Sequence, residues 1–483
     1  MHPYPPTWSF TLVFLFTRIG ANCYNIRMVF SRRQFLSSTV AAGGAGLSLG
    51  QVLRLQAANK VKPANDTAII QVWLGGGPSQ FETFDPKPQA SVDIRGPYGT
   101  VGTAHSGIRF CETMPLTGKV IDQASLIRSV AHSTNGHFVA AHWLSTGYAG
   151  TNNVASHPSV GAITSHFRGP NQPGMPAYVL LSEEQTRNPN IGEVMGTGHL
   201  GSGTAPFTIL QDPFRSPFGD DKLTAAVSNL QLADNVTFDR MSDRRSLLQH
   251  LDKIQRNRDS ARTITRMDAF NDVAFDIVTS GKARQAFDLS QESESTRQLY
   301  GSHRWGQSAL LARRLVESGV SFVTINTAPD SLCWDWHLNI VNDDRPTDGS
   351  EGPSRGMDIS GPPLDQMLHA LITDLADRGL DKKVLVVVWG EFGRTPRVNK
   401  TGGRDHWGAL MSMLLVGGGL KMGQVIGASN GNGEMPSDRP VHPEDVLATM
   451  YRHLGIDLNS HTVTREGRPI PLLPNGEPIS ELL

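Results

Sequence analysis

Short apolar runs of strand length alternate with stretches of 3.6-residue period along most of this chain. Ala68–Leu74 (AIIQVWL), Ala177–Leu181, Ser321–Asn326, Val384–Trp389 and Leu410–Val416 each read as a strand: apolar, rich in β-branched residues and bounded by turn formers. Phe138–Tyr148 and Leu364–Arg378 carry helical stripes, the second closed by Gly379. A third helix is expected from His442 to Leu454, with Pro443 in its first turn and Gly455 at its end. This alternation predicts an α/β fold with a mostly parallel central sheet and helices on both faces. Between Gly192 and Asp221 the chain is rich in Gly, Pro and Thr and reads as a long loop at a cleft rim. From 222 to 320 charge rises and helical period appears, as in Arg244–Arg256 and Arg297–Glu317. Residues 222–320 are therefore expected to form a helical insertion or helical layer, within an insertion running from about 192 to 320.

In such folds ligand chemistry gathers beyond the carboxyl ends of the strands. The run Val384–Val388 breaks there into Gly390-Glu391-Phe392-Gly393-Arg394-Thr395-Pro396, which makes Glu391 a candidate functional carboxylate. After Ser321–Asn326 comes Trp334-Asp335-Trp336-His337. In extended backbone residues i and i+2 face one side, so Asp335 and His337 could grip one ion, or bond to each other and tie a loop. With His406, from Arg404-Asp405-His406-Trp407, and Glu391 added, a shared metal is the expected arrangement. Such ligands suit Zn²⁺, Mn²⁺ or Fe better than Ca²⁺.

Two further clusters carry chemistry. Gly75-Gly76-Gly77 follows the first strand and allows close backbone approach, including an anion cradled by N–H groups. Glu82 and Asp85, just beyond, read equally as metal ligands or as turn residues. No GxGxxG or GK[ST] spacing accompanies the glycines, which argues against a nucleotide site. His132, His137 and His142 form a histidine-rich stretch suited to metal binding, acid/base work or plain packing. His157 and His166 read as structural. Among Arg394, Arg397 and Arg404, Arg394 is the preferred anion clamp, because Gly393 and Pro396 fix a turn around it.

Charge and composition narrow the partners. The 483 residues carry a formal net charge of -1, and no basic block interleaves with aromatics, so nucleic acid is not an expected partner. No apolar run reaches the roughly 18 residues of a membrane span. Ser31-Arg32-Arg33-Gln34-Phe35-Leu36 precedes a weakly apolar, glycine-rich stretch ending in Leu55-Gln56-Ala57-Ala58, the pattern of a twin-arginine export signal. Residues 1–58 are expected to be this signal behind an over-extended start, with Met28 the true start. Residues 59–483 would then be the mature domain, periplasmic or extracellular. It would keep Cys111 and Cys333, for which one disulfide is possible, and the absence of CxxC argues against a cysteine zinc site.

GGGPS…FDPKP (75–88), the three spaced histidines running into STGY (132–148), WDWH (334–337), GEFGRTPR (390–397), GRDHW (404–407) and PEDVLATMYRHLGID (443–457) together resemble the exported family named domain of unknown function fifteen-oh-one. That family belongs to the alkaline phosphatase/sulfatase-like superfamily. The resemblance implies that superfamily's fold and a site for one or two divalent ions, Zn or Mn. Asp335, His337 and His406 match the ligands of the first ion. Glu391, helped by Glu82 or Asp85, would hold a second. The chain departs from the superfamily pattern at Phe392, where a histidine is usual, and at Gly76, where an Asp is usual. His137 occupies the nucleophile position counted back from Ser145-Thr146-Gly147, and no C/S-x-P-x-R sequence exists. The implied function is an exported metal-dependent hydrolase or transferase of a phosphate or sulfate ester, small or polysaccharide, using metal-activated water. His137 would be acid/base or nucleophile and Arg394 the anion clamp. The alternative is a catalytically degenerate exported protein of the same fold that binds metal or glycan.

Overall fold

Ala68–Trp73 is buried at every position because it has a parallel neighbour on each side and a helical layer over each face. A computed structural model describes residues 66–149, 156–182, 193–209, 282–327, 334–341 and 356–483. All belong to one unit, Val61–Leu483. The main strands are β1 (Ala68–Trp73), β2 (Ala124–Val130), β3 (Tyr178–Leu181), β4 (Phe207–Ile209), β5 (Phe322–Asn326), β6 (Val384–Trp389), β7 (Met411–Gly417) and β8 (Val425–Ile426). They form one eight-stranded sheet in the order β8-β2-β7-β6-β1-β5-β3-β4. Only β7 runs against its neighbours; every other pairing is parallel. The sheet is mostly parallel, as expected.

Side-chain alternation along the strands divides the core in two. Ala68, Ile70 and Val72 pack with α3 (Arg304–Glu317) and α4 (Met357–Asp377) on one face. Ile69 and Trp73 pack with α1 (His137–Thr146), α2 (Val160–Phe167) and α5 (Pro443–His453) on the other. Helix α5 begins as its sequence predicts, with His442 and Asp445 closing a reciprocal cap and Pro443 in the first turn.

Several elements differ from expectation. Within the stretch read as a rim loop and insertion, Phe207–Ile209 is the edge strand β4 of the central sheet and Arg304–Glu317 packs on that sheet as α3. Strand β2 was not foreseen, because Ser125, Arg128 and Ser129 interrupt its apolar pattern; its partner β7 nonetheless draws it into the sheet. Helix α4 starts at Met357, ahead of Pro362 and Pro363. Each proline lacks the N–H that would bond four residues back, to Asp358 and Ile359, but those residues are exposed and water can take over. The stretch Arg297–Glu317 is two helices, Glu294–Tyr300 and α3, broken at Gly301 with φ of 83°. Residues 210–281, including Arg244–Arg256, and Cys333 lie outside the described residues; Cys111 is buried.

One fully buried cation ties the first helical layer together. Arg313 on α3 lies 2.8 Å from Glu292, 2.7 Å from Glu317 and 2.8 Å from Asp374 on α4. Burial disfavours its charge, but the hydrogen bond to Glu292 and the field of Asp374 outweigh that and raise its pKa. Tyr300 donates to Asp374 at 3.0 Å. Removing one member of such a network strands the others. Arg313→Ala should therefore lower unfolding stability by about 3–5 kcal/mol in urea titration; a loss under about 1 kcal/mol, the worth of a surface pair, would contradict this assignment.

Candidate metal centre

Four chain segments meet beyond the carboxyl ends of β1, β5 and β6. The end of β6 presents Glu391, and a two-residue ribbon pairs Gly393–Arg394 with His406–Trp407. Helix α1 brings His137 at its first turn. After β5, Trp334 and Trp336 are buried and anchor the segment between them. Backbone bonds from Trp334 N–H to the Gly75 carbonyl (3.0 Å) and from Arg404 N–H to the Trp336 carbonyl (2.9 Å) fix its path. Asp335 and His337 are left facing one another.

The side chains converge on Asp335. Its Oδ1 lies 2.9 Å from His337 Nε2, 3.0 Å from His406 Nε2 and 2.6 Å from Arg394 Nη2. The two imidazole Nε2 atoms are only 2.8 Å apart. His137 Nε2 stands 3.4 Å from Asp335 Oδ2, beyond a well-formed hydrogen bond, and has no other partner among the described residues. One ligand atom each from His137, Asp335 and His406 lies within 4.8 Å of the others. Tetrahedral zinc with bonds of about 2.0–2.1 Å would space its ligands by about 3.4 Å, so small movements would seat an ion here.

The surrounding hydrogen bonds aim these rings. His137 Nδ1 meets Glu391 Oε1 at 2.8 Å, and the same oxygen accepts the Gly76 N–H at 2.8 Å. The glycine loop thus cradles an anion, and that anion is the protein's own carboxylate. Glu391 Oε2 is buried without a partner among the described residues. His406 Nδ1 bonds the Asn135 carbonyl at 2.8 Å, which leaves Nε2 toward the cluster. Phe392, fully buried in place of the histidine the resemblance implies, packs its ring 5.0 Å from His137 and 4.6 Å from His406. A Cβ on Gly77 would fall 2.4 Å from that ring, so the glycine is required there.

Burial disfavours the charge on Asp335, but the three histidines and Arg394 overturn this and hold its pKa far below the ordinary range. Burial would also lower His137; the nearby Asp335 carboxylate and the Glu391 carboxylate bonded to Nδ1 prevail and push it up to about 9. His337 is raised, chiefly by its bond to Asp335, whereas burial lowers His406.

The structure gathers His137, Asp335, His337, His406 and Glu391, but not Glu82 or Asp85. Glu82 is engaged in a buried ion pair with Arg404, 2.7 Å at its shortest, and accepts from Ser79. Asp85 accepts from Lys87 at 3.0 Å and is bonded by Ser429, with Arg128 at 3.5 Å. Arg394 also departs from its expected role as an open anion clamp. It is 1% exposed, and its donors are taken by Asp335 and by the carbonyls of Gly76, Gly77, Trp334 and Arg404. Of the histidine-rich stretch, only His137 enters the cluster: His132 bonds the Glu391 carbonyl at 2.7 Å and His142 the Tyr148 carbonyl at 2.9 Å. Asn135 and Asp405 were not foreseen. Asn135 serves His406 through its main-chain carbonyl, which no side-chain pattern reveals; Asp405 is marked in the sequence only by adjoining His406.

The class defined so far is an α/β protein with a histidine–carboxylate centre beyond its parallel strands. The family described as protein of unknown function (DUF1501) matches residues 66–483, and the chain belongs to it. No curated protein matches the sequence. Similar solved structures include a phosphonate monoester hydrolase from Silicibacter pomeroyi (12% identity, 82% of this chain and 74% of that one, TM-score 0.36). A lipoteichoic acid synthase from Listeria monocytogenes is also similar (12% identity, 89% and 78%, TM-score 0.31). So is a sulfatase from a Pseudoalteromonas species (11% identity, 83% and 71%, TM-score 0.33).

The raised His137 value sets a pH dependence. The folded ion-free protein holds this proton more tightly than the unfolded chain, so its contribution to stability is complete below pH 6.5 and is lost as pH rises through about 9. In chelator-treated protein, thermal unfolding should show His137→Gln well below wild type at the acid end of this window, the gap closing toward its alkaline end. A gap that is constant or widens with pH would contradict the assignment.

Proposed function

We propose that this chain is an exported metal-dependent hydrolase or transferase of an anionic ester, phosphate or sulfate, carried by a small molecule or a polysaccharide. The observation that carries the reading is the convergence of His137, Asp335 and His406 ligand atoms within 4.8 Å, beside two under-bonded buried atoms: His137 Nε2, 3.4 Å from Asp335 Oδ2, and Glu391 Oε2, which has no hydrogen-bond partner among the described residues. Buried polar groups are normally bonded, and a cation would satisfy both kinds of atom. Histidine and carboxylate donors fit Zn²⁺ or Mn²⁺. When bound, such an ion supplies a Lewis acid for the ester and lowers the pKa of water.

The chain's own residues prepare that chemistry. Asp335 stays ionised across the physiological range and supplies the central negative charge. His406 is fixed by the Asn135 carbonyl with Nε2 toward the cluster. Glu391 accepts the Nδ1–H of His137, so that loss of the other ring proton would leave the Nε2 lone pair facing the cluster. Glu391 Oε2 is the donor left for a second ion. Arg394 steadies Asp335 from beneath, so the anionic group of the substrate must be met by the metal and by the exposed rim. Export rests on the twin-arginine pattern at Arg32-Arg33, which lies outside the described residues; no helix among those residues is long and apolar enough to cross a membrane.

Elemental analysis of the purified mature protein should find about one equivalent or more of Zn or Mn, and Asp335→Ala and His406→Ala should each lose most of it. A screen of phosphate monoesters, phosphate diesters and sulfate esters should then find turnover that the same substitutions reduce by about 100-fold or more. Metal-free protein indifferent to both substitutions would end the reading. Metal retained without turnover of any ester would favour a non-catalytic metal- or glycan-binding role.

A further inference from the structure

Asp405 has no part in the ligand set, yet its carboxylate Oδ1 lies 3.0 Å from His337 Nδ1, on the side of the ring away from Asp335. Its backbone is pinned on both edges: Asp405 N–H donates to Thr395 Oγ1 at 3.0 Å, and Thr395 N–H to the Asp405 carbonyl at 2.9 Å. The same loop grips the His337 main chain. Asn399 Nδ2 and Thr401 Oγ1 donate to the His337 carbonyl at 2.9 and 3.0 Å. Among the described residues, the His337 ring is thus held from behind by one residue only.

An imidazole has two nitrogens, and an acceptor on one of them selects which bears the proton. We propose that Asp405 is a positioning residue of the metal centre: by accepting the Nδ1–H of His337 it fixes that ring with Nε2 facing Asp335 and His406. The proposal rests on the metal-centre reading above for its consequence, though not for its geometry. Stability offers no competing account of the contact. Asp405 is 60% exposed and His337 37% exposed, and a pair so open to solvent contributes little to folding. The contact gives orientation instead: Asp335 draws the ring proton to Nε2, and Asp405 is the acceptor that can hold it on Nδ1 and leave the Nε2 lone pair toward the cluster. His406 is served in the same way by the Asn135 carbonyl, so each Nε2 of the close pair has an acceptor behind its ring.

The test uses the mature chain, stripped with chelator, as wild type, Asp405→Ala and Asp405→Asn. Histidine side-chain nitrogen NMR, at a pH where the ring is neutral, should show the His337 proton shared between Nδ1 and Nε2 in wild type, drawn to Nε2 by Asp335 in Asp405→Ala, and partly returned to Nδ1 in Asp405→Asn, whose amide oxygen still accepts. Zn²⁺ competition against a chromophoric chelator should show affinity weakened by about 10–100-fold in Asp405→Ala and by less in Asp405→Asn. Unfolding midpoints should stay close to wild type. An unchanged His337 tautomer in Asp405→Ala would overturn the proposal, as would unchanged Zn²⁺ affinity in a wild type that binds it. If wild type binds no Zn²⁺, the metal reading fails and the tautomer comparison alone decides the role of Asp405.

Discussion

The guanidinium of Arg394 is the constraint on which this site depends. Its donors reach the glycine loop after β1, the Trp334–Asp335 segment after β5 and the Arg404 carbonyl on the facing side of the ribbon. Three loops from distant parts of the sequence are held at one point, and the one carboxylate among its acceptors is Asp335. Arginine suits this place because its planar fork serves several acceptors at once and keeps its charge when buried. Asp335 in turn gathers the histidines. The geometry of the centre therefore descends from a residue that solvent barely touches.

Much of the fold was legible along the chain. Val384–Trp389 and Ala68–Trp73 read correctly because central strands covered by helices on both faces are apolar on both sides. Strand β2 did not, because Arg128 and two serines sit in it and only pairing with β7 reveals its role. The antiparallel course of β7 was equally hidden, since nothing in Met411–Gly417 distinguishes the two directions. Helix α4 extends past its prolines for a reason invisible in one dimension: the two carbonyls left without N–H donors belong to the exposed residues Asp358 and Ile359.

The site was legible in residue type more than in role. Asp335, His337, His406 and Glu391 were found from strand-end position, and His137 from the spacing of the histidines. Carboxylates near the glycine loop misled, because a single sequence does not say which cation meets which anion across three hundred residues. Glu82 meets Arg404, so two residues read as separate functional candidates neutralise each other in the interior. Arg394 was noticed for its turn, yet its orientation inward depended on carbonyls that no motif displays. Gly76 was read as able to cradle an anion and does so, with Glu391 in place of a ligand.

The Phe392 ring has one more consequence. It lies against His137, His406 and the bare Cα of Gly77, which confines both imidazoles before anything binds. Side chains ordered in advance surrender little rotational freedom on capturing a ligand, so more of the intrinsic bond strength appears as affinity. If the centre holds an ion as proposed, the same confinement would resist one whose preferred bond lengths push the rings apart. The hydrocarbon ring at this position thus stiffens the two imidazoles beside it, and a stiff set of donors would discriminate by size.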